Sequence, residues 1–177
     1  MFSSILRPRL LSAIGALLAF TVAPLAHAQS GQQDDLVTTA IAKAESELGA
    51  RVGAMIVDTR SGKTWSVRAQ ERFPLNSTFK AFACAAVLGG VDAGEAALDQ
   101  QITFTADDLV TYSPVTETRI ETGMTLGEVC DAAMTMSDNT AGNLVIESLG
   151  GPDGVTRFMR QIGDAETRLD RTEPTLN

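Results

Sequence analysis

Apolar and polar positions follow two different periods in the first part of the chain. Apolar residues recur every three or four positions over 34–48, which predicts an amphipathic helix that Gly49 can end. An apolar, β-rich run at 52–58 and an alternating run at 64–69 are separated by a polar turn. These two runs predict a β-hairpin. Because one helix and two strands do not make a stable layer, further strands are expected, and none is evident later in the chain.

The pattern from residue 76 onward is helical. The segment 76–88 is apolar on nearly all sides, which predicts a buried central helix that ends at Gly89 and Gly90. The three further predicted helices are 125–134, 140–149 and 152–162. The first opens with a capping-box sequence at Thr125, and the last is stopped by Gly163. Residues 164–177 have no helical period and predict an ordered loop.

The first 28 residues have the features of a removable signal peptide. Arg7 and Arg9 precede an apolar run at 10–22, and Ala26-His27-Ala28 is a small-x-small cleavage site. The alternative is a membrane anchor, but no second span follows. We therefore expect 1–28 to be a signal peptide and the protein to be exported, with no stable membrane association afterwards.

The net charge and the histidine content reduce the number of functions that the sequence allows. The formal net charge is −8, which argues against binding to nucleic acid or to an anionic membrane surface. The only histidine, His27, lies in the leader. This excludes a Ser-His-Asp triad within the rest of the sequence and removes the commonest catalytic zinc ligands. We expect no metal and no cofactor, and a nucleophile here needs a lysine or a carboxylate as its base.

A serine and a lysine stand three residues apart at the start of the predicted central helix. Ser77 and Lys80 would project from the same face. A desolvated lysine with a lowered pKa can accept a serine proton, so the pair could form an activated nucleophile. The alternative is a serine that caps the helix beside a lysine whose end reaches solvent, and this motif alone favours the alternative.

Two further motifs carry candidate groups. Ser137-Asp138-Asn139 could supply a proton relay and an amide hydrogen-bonder, or it could simply cap the helix that follows. Glu173 and Asn177 could hold a water molecule between a carboxylate and an amide. The alternative for this last segment is a solvated acidic loop.

Taken together, the three motifs resemble those of class A serine β-lactamases, which carry S-x-x-K, S-D-N and a glutamate in this order. The resemblance extends through residues 109–115, 135–141 and 168–171, and several of these segments are most similar to the carbenicillin-hydrolysing branch. It implies a fold with an α/β domain and an all-α domain, as in β-lactamases and penicillin-binding proteins. It also implies hydrolysis of the β-lactam ring of penicillin-type antibiotics through a serine acyl-enzyme, and hence antibiotic resistance.

The resemblance assigns roles to single residues. The implied catalytic residues are Ser77 as nucleophile, Lys80 as base, Ser137 as proton relay and Glu173 as the base that activates water. The base for acylation is left open between Lys80 and Glu173. The implied substrate-binding residues are Asn139, Tyr112 and Asn177, and the Ser77 N–H would donate to the oxyanion.

The family also implies a pairing of cysteines and a division into domains. Cys84 and Cys130 match a helix-to-helix disulfide of the family, although the residues alone leave open two buried, unpaired thiols. Residues 29–75 would form the start of the α/β domain, and 76–177 the helical domain. The protein is expected to be a monomer whose partner is a small β-lactam molecule.

The family's Lys/Arg-Thr-Gly motif, its remaining strands and its last helix do not occur in these 177 residues. The resemblance therefore predicts an incomplete, inactive N-terminal fragment. Three other functions remain open: a penicillin-binding DD-peptidase, a β-lactam-sensing domain, and a structural module in which the motifs are only helix caps.

Overall fold

The computed structural model describes residues 26–176, with side chains from residue 36 onward. Most of the predicted signal peptide and Asn177 therefore lie outside the described residues. The helices and strands, in chain order, are α1 (Ala26–Leu48), β1 (Ala54–Val57), β2 (Thr64–Val67), α2 (Phe79–Asp92), β3 (Gln101–Ile102), β4 (Met124–Thr125), α3 (Leu126–Thr135), α4 (Asn139–Ser148) and α5 (Pro152–Gln161). The chain divides into two compact units, Met1–Glu71 and Arg72–Asn177. No helix within 26–176 is long and apolar enough to cross a membrane.

The first unit contains the predicted helix and hairpin, although the helix begins at Ala26 and not at residue 34. Helix α1 ends at Leu48 as predicted, and Gly49 follows with φ of 59°. Strands β1 and β2 pair antiparallel, from Ala54 opposite Val67 to Val57 opposite Thr64. The hairpin is confirmed, although each strand is shorter than its predicted run.

Polar contacts at the surface hold this first unit together. The Glu45 carboxylate on α1 accepts a hydrogen bond from the Val52 N–H at 2.9 Å and pairs with Arg68 at 2.8 Å. In the hairpin turn, the Asp58 carboxylate accepts from the Arg60 N–H at 2.9 Å and from the Ser61 hydroxyl at 2.5 Å. These bonds order two turns without burying an apolar surface.

Trp65 lies on β2, opposite Ile56. Its indole Nε1 is shielded from solvent and has no hydrogen-bond partner among the described residues. The Lys63 ammonium lies 4.6 Å from the centre of the ring. At this distance the cation is attracted by the face of the aromatic ring.

The second unit is built around α2. Phe79, Ala83 and Val87 on this helix are at most 1% exposed, and α2 packs against α3, α4 and α5. The prediction of a buried central helix is confirmed. Apolar residues of the other three helices, together with Phe104 and Leu169, complete this core.

The predicted end of the central helix is wrong. Helix α2 continues through Gly89 and Gly90 to Asp92. A Cβ atom at Gly89 would lie 3.4 Å from the Phe158 ring, and one at Gly90 would lie 3.4 Å from the Ala96 Cβ. These two glycines therefore serve close packing and do not end the helix.

The other helices agree with the sequence to within one or two residues, and α3 opens with the predicted capping box at Thr125. Two short strands, β3 and β4, were not predicted. They pair with each other in a small sheet separate from that of β1 and β2.

Candidate active site

Ser77 and Lys80 lie at the N-terminal end of α2, and one side chain is exposed while the other is buried. Ser77 lies in a 3₁₀ turn, Asn76–Thr78, and is exposed, whereas Lys80 lies in the first turn of α2 and is 2% exposed. The N-cap residue of α2 is Thr78, whose hydroxyl bonds to the Leu75 carbonyl oxygen. Ser77 is therefore not the helix cap, and Lys80 does not reach solvent.

The Lys80 ammonium uses its three donors on the segment between α3 and α4. It donates to the Ser137 carbonyl oxygen at 2.7 Å, to the Ser137 hydroxyl at 3.1 Å and to the Asn139 Oδ1 at 2.7 Å. Burial lowers the pKa of Lys80 below its ordinary value, while the negative charges of Glu173 and Asp138 oppose that shift. A lowered pKa makes the neutral amine, which can accept a proton, more accessible.

A hydroxyl group links this lysine to Ser77. The Ser137 Oγ donates to the Ser77 Oγ at 3.0 Å and accepts from the Lys80 ammonium. The three groups thus form a continuous hydrogen-bonded line in which Lys80 donates to Ser137 and Ser137 donates to Ser77. When the Lys80 amine is neutral, reversal of these bonds allows a proton to move from Ser77 through Ser137 to Lys80. Ser137 has φ of 54°, a conformation that non-glycine residues rarely adopt and that marks a constrained backbone.

The residue that holds this segment in place is Asp138, which is fully buried. Its carboxylate caps α4 by accepting from the Ala141 N–H at 2.8 Å. It also accepts from the N–H groups of Val115 and Thr116, each at 2.9 Å, and from the Thr116 hydroxyl. The capping interpretation of the motif is correct for Asp138, while Ser137 and Asn139 on either side reach Lys80.

The loop that carries Tyr112 is attached to the start of α4. The Asn139 side-chain amide donates to the Thr111 carbonyl oxygen at 2.9 Å, and the Asn139 N–H donates to the Tyr112 carbonyl oxygen at 2.9 Å. Tyr112 is 60% exposed and has φ of 66°. Asn139 therefore contacts Lys80 and also fixes the backbone of Tyr112.

Glu173 is half-buried, and its backbone is held by a residue that the sequence motifs did not indicate. The Asn143 side chain accepts from the Glu173 N–H at 2.9 Å and donates to the Glu173 carbonyl oxygen at 3.0 Å. The peptide bond between Glu173 and Pro174 is cis. The only signal for Asn143 in the sequence is its position one helical turn after Asn139, which places both on one face of α4.

The carboxylate of Glu173 acts on Lys80 through its charge, and no hydrogen bond joins the two residues. Ser77, Lys80, Ser137 and Asn139 are thus brought into direct contact. Tyr112 is joined to that cluster through its backbone carbonyl oxygen, whereas the Glu173 backbone is held by Asn143 and its carboxylate reaches Lys80 only through its charge. Asn177, the remaining residue of the predicted set, lies outside the described residues.

Cys84 on α2 and Cys130 on α3 are neighbours with free thiols. The Cys84 sulfur lies 3.8 Å from the Cys130 carbonyl oxygen. A hydrogen bond between the two side chains raises the pKa of the Cys84 thiol and lowers that of Cys130. The disulfide between them stays a prediction.

Similarity to solved structures agrees with this geometry. The class A β-lactamase of the last common ancestor of Gram-negative bacteria is 52% identical, with a TM-score of 0.76 over 78% of this chain and 53% of that chain. The putative class A β-lactamase PenP of Rhodopseudomonas palustris is 48% identical, with a TM-score of 0.78 over 81% of this chain and 55% of that one. The predicted fold class is confirmed, and the chain contains part of that fold.

Sequence comparison gives the same family. β-Lactamase AST-1 of Nocardia asteroides is 49% identical over 181 residues, which are 97% of this chain and 58% of that protein. The chain therefore spans somewhat more than half the length of this relative. A family profile described as the β-lactamase enzyme family matches residues 36–177. With the serine–lysine cluster at the entry to a buried helix, these matches show that the chain belongs to the β-lactamase enzyme family.

Proposed function

We propose that this chain carries most of the active site of a serine β-lactamase, a hydrolase that opens the ring of penicillin-type antibiotics and confers resistance to them. The observation that supports this most strongly is the hydrogen-bonded line from Lys80 through Ser137 to Ser77. It joins an exposed hydroxyl to a buried amine whose pKa is lowered by burial. Such a pair can generate a nucleophile without histidine.

In the first step, the Ser77 oxygen attacks the lactam carbonyl carbon and forms a tetrahedral oxyanion. The Ser77 proton passes to Lys80, with Ser137 between them, or through a water molecule to Glu173. The C–N bond of the ring then breaks, and Ser137 delivers a proton to the departing nitrogen. The product is an ester of Ser77, and the Ser77 N–H is one donor to the oxyanion.

In the second step, Glu173 removes a proton from water as the water attacks the ester. The C–O bond to Ser77 then breaks, the proton returns to the Ser77 oxygen, and the opened antibiotic is released. Asn177 would help to hold this water. Asn139 would bind the amide side chain of the substrate, and Tyr112 would form one wall of the cleft. The Asn143 contact supports this assignment because it fixes the backbone from which the Glu173 carboxylate extends.

The remaining proposals concern the protein around the site. Residues 1–28 would direct export to the periplasm, 29–75 would belong to the α/β domain, and 76–177 would form the helical domain. In that oxidising compartment the adjacent thiols of Cys84 and Cys130 would form a disulfide. The protein would act as a monomer on a small-molecule substrate without a cofactor.

The test uses the protein expressed from the complete open reading frame that contains this chain. Mass spectrometry after mixing with benzylpenicillin should show an adduct on Ser77 that disappears within one turnover, and Ser77→Ala should abolish both adduct and hydrolysis. Glu173→Ala should accumulate the adduct. Ser148→Ala, which removes a hydroxyl at the far end of α4, serves as the control and should hydrolyse normally.

A long-lived adduct in the unsubstituted protein would contradict the proposal and indicate a DD-peptidase or a sensor. The absence of both an adduct and hydrolysis would exclude all three activities. Unimpaired release of the adduct by Glu173→Ala would remove Glu173 from its assigned role.

A further inference from the structure

A buried pair of hydroxyl groups lies beneath the loop that carries Tyr112. Ser113 is 6% exposed and Thr140, in the first turn of α4, is 1% exposed. We propose that Ser113 and Thr140 are positioning residues that fix the Tyr112 wall and thereby set the affinity for substrates with bulky side chains. This inference rests on the proposed β-lactamase function.

The hydrogen bonds of this pair connect the two hydroxyls to the turn that carries Tyr112. The Ser113 hydroxyl lies 2.8 Å from the Val110 carbonyl oxygen, to which it can donate. The two hydroxyl oxygens lie 2.7 Å apart, where either can be the donor, and the Thr140 hydroxyl also lies 3.4 Å from the Asp108 carbonyl oxygen. The Thr140 oxygen accepts from the Val110 N–H at 2.9 Å, and the Thr140 N–H reaches the Ser113 oxygen at 3.3 Å.

These hydrogen bonds tie both ends of the turn that contains Tyr112 to α4. Val110 is held through its N–H and its carbonyl oxygen, and Ser113 through its side chain. The two residues between them are held through their carbonyl oxygens by Asn139. The whole turn from Val110 to Ser113 is thus fixed by polar contacts to two consecutive residues of one helix.

Tyr112 depends on these contacts because its own surroundings do not hold it. Its side chain is 60% exposed and its φ of 66° lies in the left-handed region. A bulky residue keeps such a conformation only where the surrounding structure imposes it. Loosening the hydroxyl pair would let the Tyr112 ring leave the position at which it contacts a substrate.

The hydroxyl pair does not touch Ser77, Lys80 or Ser137, whose contacts are all accounted for by other groups. Its loss should therefore weaken substrate binding more than the chemical step. Uniform binding energy appears in KM, whereas energy used only in the transition state appears in kcat.

The experiment measures kcat and KM of the protein from the complete reading frame, with a penicillin that has an aromatic side chain and with one that has a small side chain. The variants are Thr140→Val, which removes the hydroxyl at constant shape, and Ser113→Ala. We expect KM for the aromatic substrate to rise about fivefold and kcat to change less than about twofold. Thr140→Ser keeps the hydroxyl and should restore KM.

Ser148→Ala is the matched control, because the Ser148 hydroxyl also donates to a carbonyl oxygen three residues earlier, that of Val145 at 2.7 Å. It should leave both constants unchanged. In a Tyr112→Ala background, Thr140→Val should produce no further rise in KM, since the ring on which the pair acts is gone.

An unchanged KM in folded Thr140→Val and Ser113→Ala would overturn the inference, as would an equal rise in KM with Ser148→Ala. A loss confined to kcat would show that Thr140 acts through Asn139 and would also overturn it. The inference would also be overturned if Thr140→Val raised KM by the same factor in the Tyr112→Ala background as in the unsubstituted protein. If the unsubstituted protein neither forms an adduct on Ser77 nor hydrolyses the penicillin, the proposed function itself has failed, which is a different result from any of these.

Discussion

Both units of the chain contain hydrogen-bonded carboxylates and apolar side chains. None of these groups that the structure describes is buried in the first unit, whereas many are buried in the second. In the first, none of residues 36–71 is buried, and Met55, Ile56 and Val57 on β1 are each about half exposed or more. In the second, a continuous apolar core surrounds buried polar groups that include Lys80 and Asp138. An isolated two-stranded hairpin is marginally stable. Among the described residues, the buried core and the candidate active-site groups therefore both lie in the second unit.

We expect the largest difference in the free energy of unfolding between the alanine variants of Asp138 and Asp58, which each accept several hydrogen bonds. Asp138→Ala would leave the buried N–H groups of Val115, Thr116 and Ala141 without an acceptor. We expect this to lower the free energy of unfolding by about 4 kcal/mol. Urea unfolding followed by circular dichroism measures it.

Asp58→Ala is the control in the first unit, because Asp58 accepts from exposed groups that water can replace. It should change the free energy of unfolding little. Equal effects of the two substitutions would show that burial does not distinguish the units.

Two isoleucines, one in each unit, test whether the burial of apolar side chains also differs in its contribution to stability. Ile146 on α4 is 1% exposed and Ile56 on β1 is 48% exposed. Ile146→Ala should cost about 3 kcal/mol through lost burial and a cavity, whereas Ile56→Ala should cost less than about 1 kcal/mol. Both values come from the same unfolding measurement. If Ile56→Ala cost as much, the hairpin would contribute far more to stability than its exposure indicates.

The third prediction concerns activity. Asn143→Ala removes both hydrogen bonds to the Glu173 backbone. In the proposed mechanism, in which Glu173 activates water, this should slow release of the acyl-enzyme about tenfold, since a misplaced base holds water poorly. Stopped-flow measurement of deacylation in the protein from the complete reading frame checks this. Glu45→Gln, which alters a comparable backbone link in the first unit, is the control and should leave deacylation unchanged. An unaltered rate with Asn143→Ala would refute the positioning role.

The smallest effect is a pH dependence. The hydroxyl of Thr167, followed by the N–H groups of Thr167 and Glu166, lowers the pKa of Asp164 from 3.8 to about 2. Because the folded state prefers the carboxylate, its contribution is complete above pH 3.8 and is lost as the pH falls towards 2. In this pH window, the stability of Asp164→Asn should fall less steeply with falling pH than that of the unsubstituted protein. The measurement is the urea concentration at the midpoint of unfolding. If stability fell equally steeply with pH in both proteins, the hydrogen bonds of Asp164 would not contribute to folding stability.

Local signals in the sequence predicted most of the helices. The capping box at Thr125 and the pair formed by Pro152 and Gly163 fixed the limits of α3 and α5, because caps depend only on neighbouring residues. The end of α2 was predicted wrongly because the packing of Gly89 against Phe158 is a tertiary contact.

The candidate site shows the same division between local and distant contacts. The three motifs identified the groups around Ser77, but Lys80 and Ser137 are 57 positions apart and Asn143 and Glu173 are 30 apart. Spacing along the chain does not reveal which of these groups meet. The burial of Lys80 and the role of Asn143 required coordinates for that reason.

Each unit also contains its own optical probe. The chain has one tryptophan and one tyrosine, and these are Trp65 in the hairpin and Tyr112 in the loop at the candidate site. The shielded indole with a cation 4.6 Å from its ring centre will change its emission when the hairpin opens. Tryptophan fluorescence of these 177 residues therefore reports on the first unit, and the tyrosine signal reports on the second without any label.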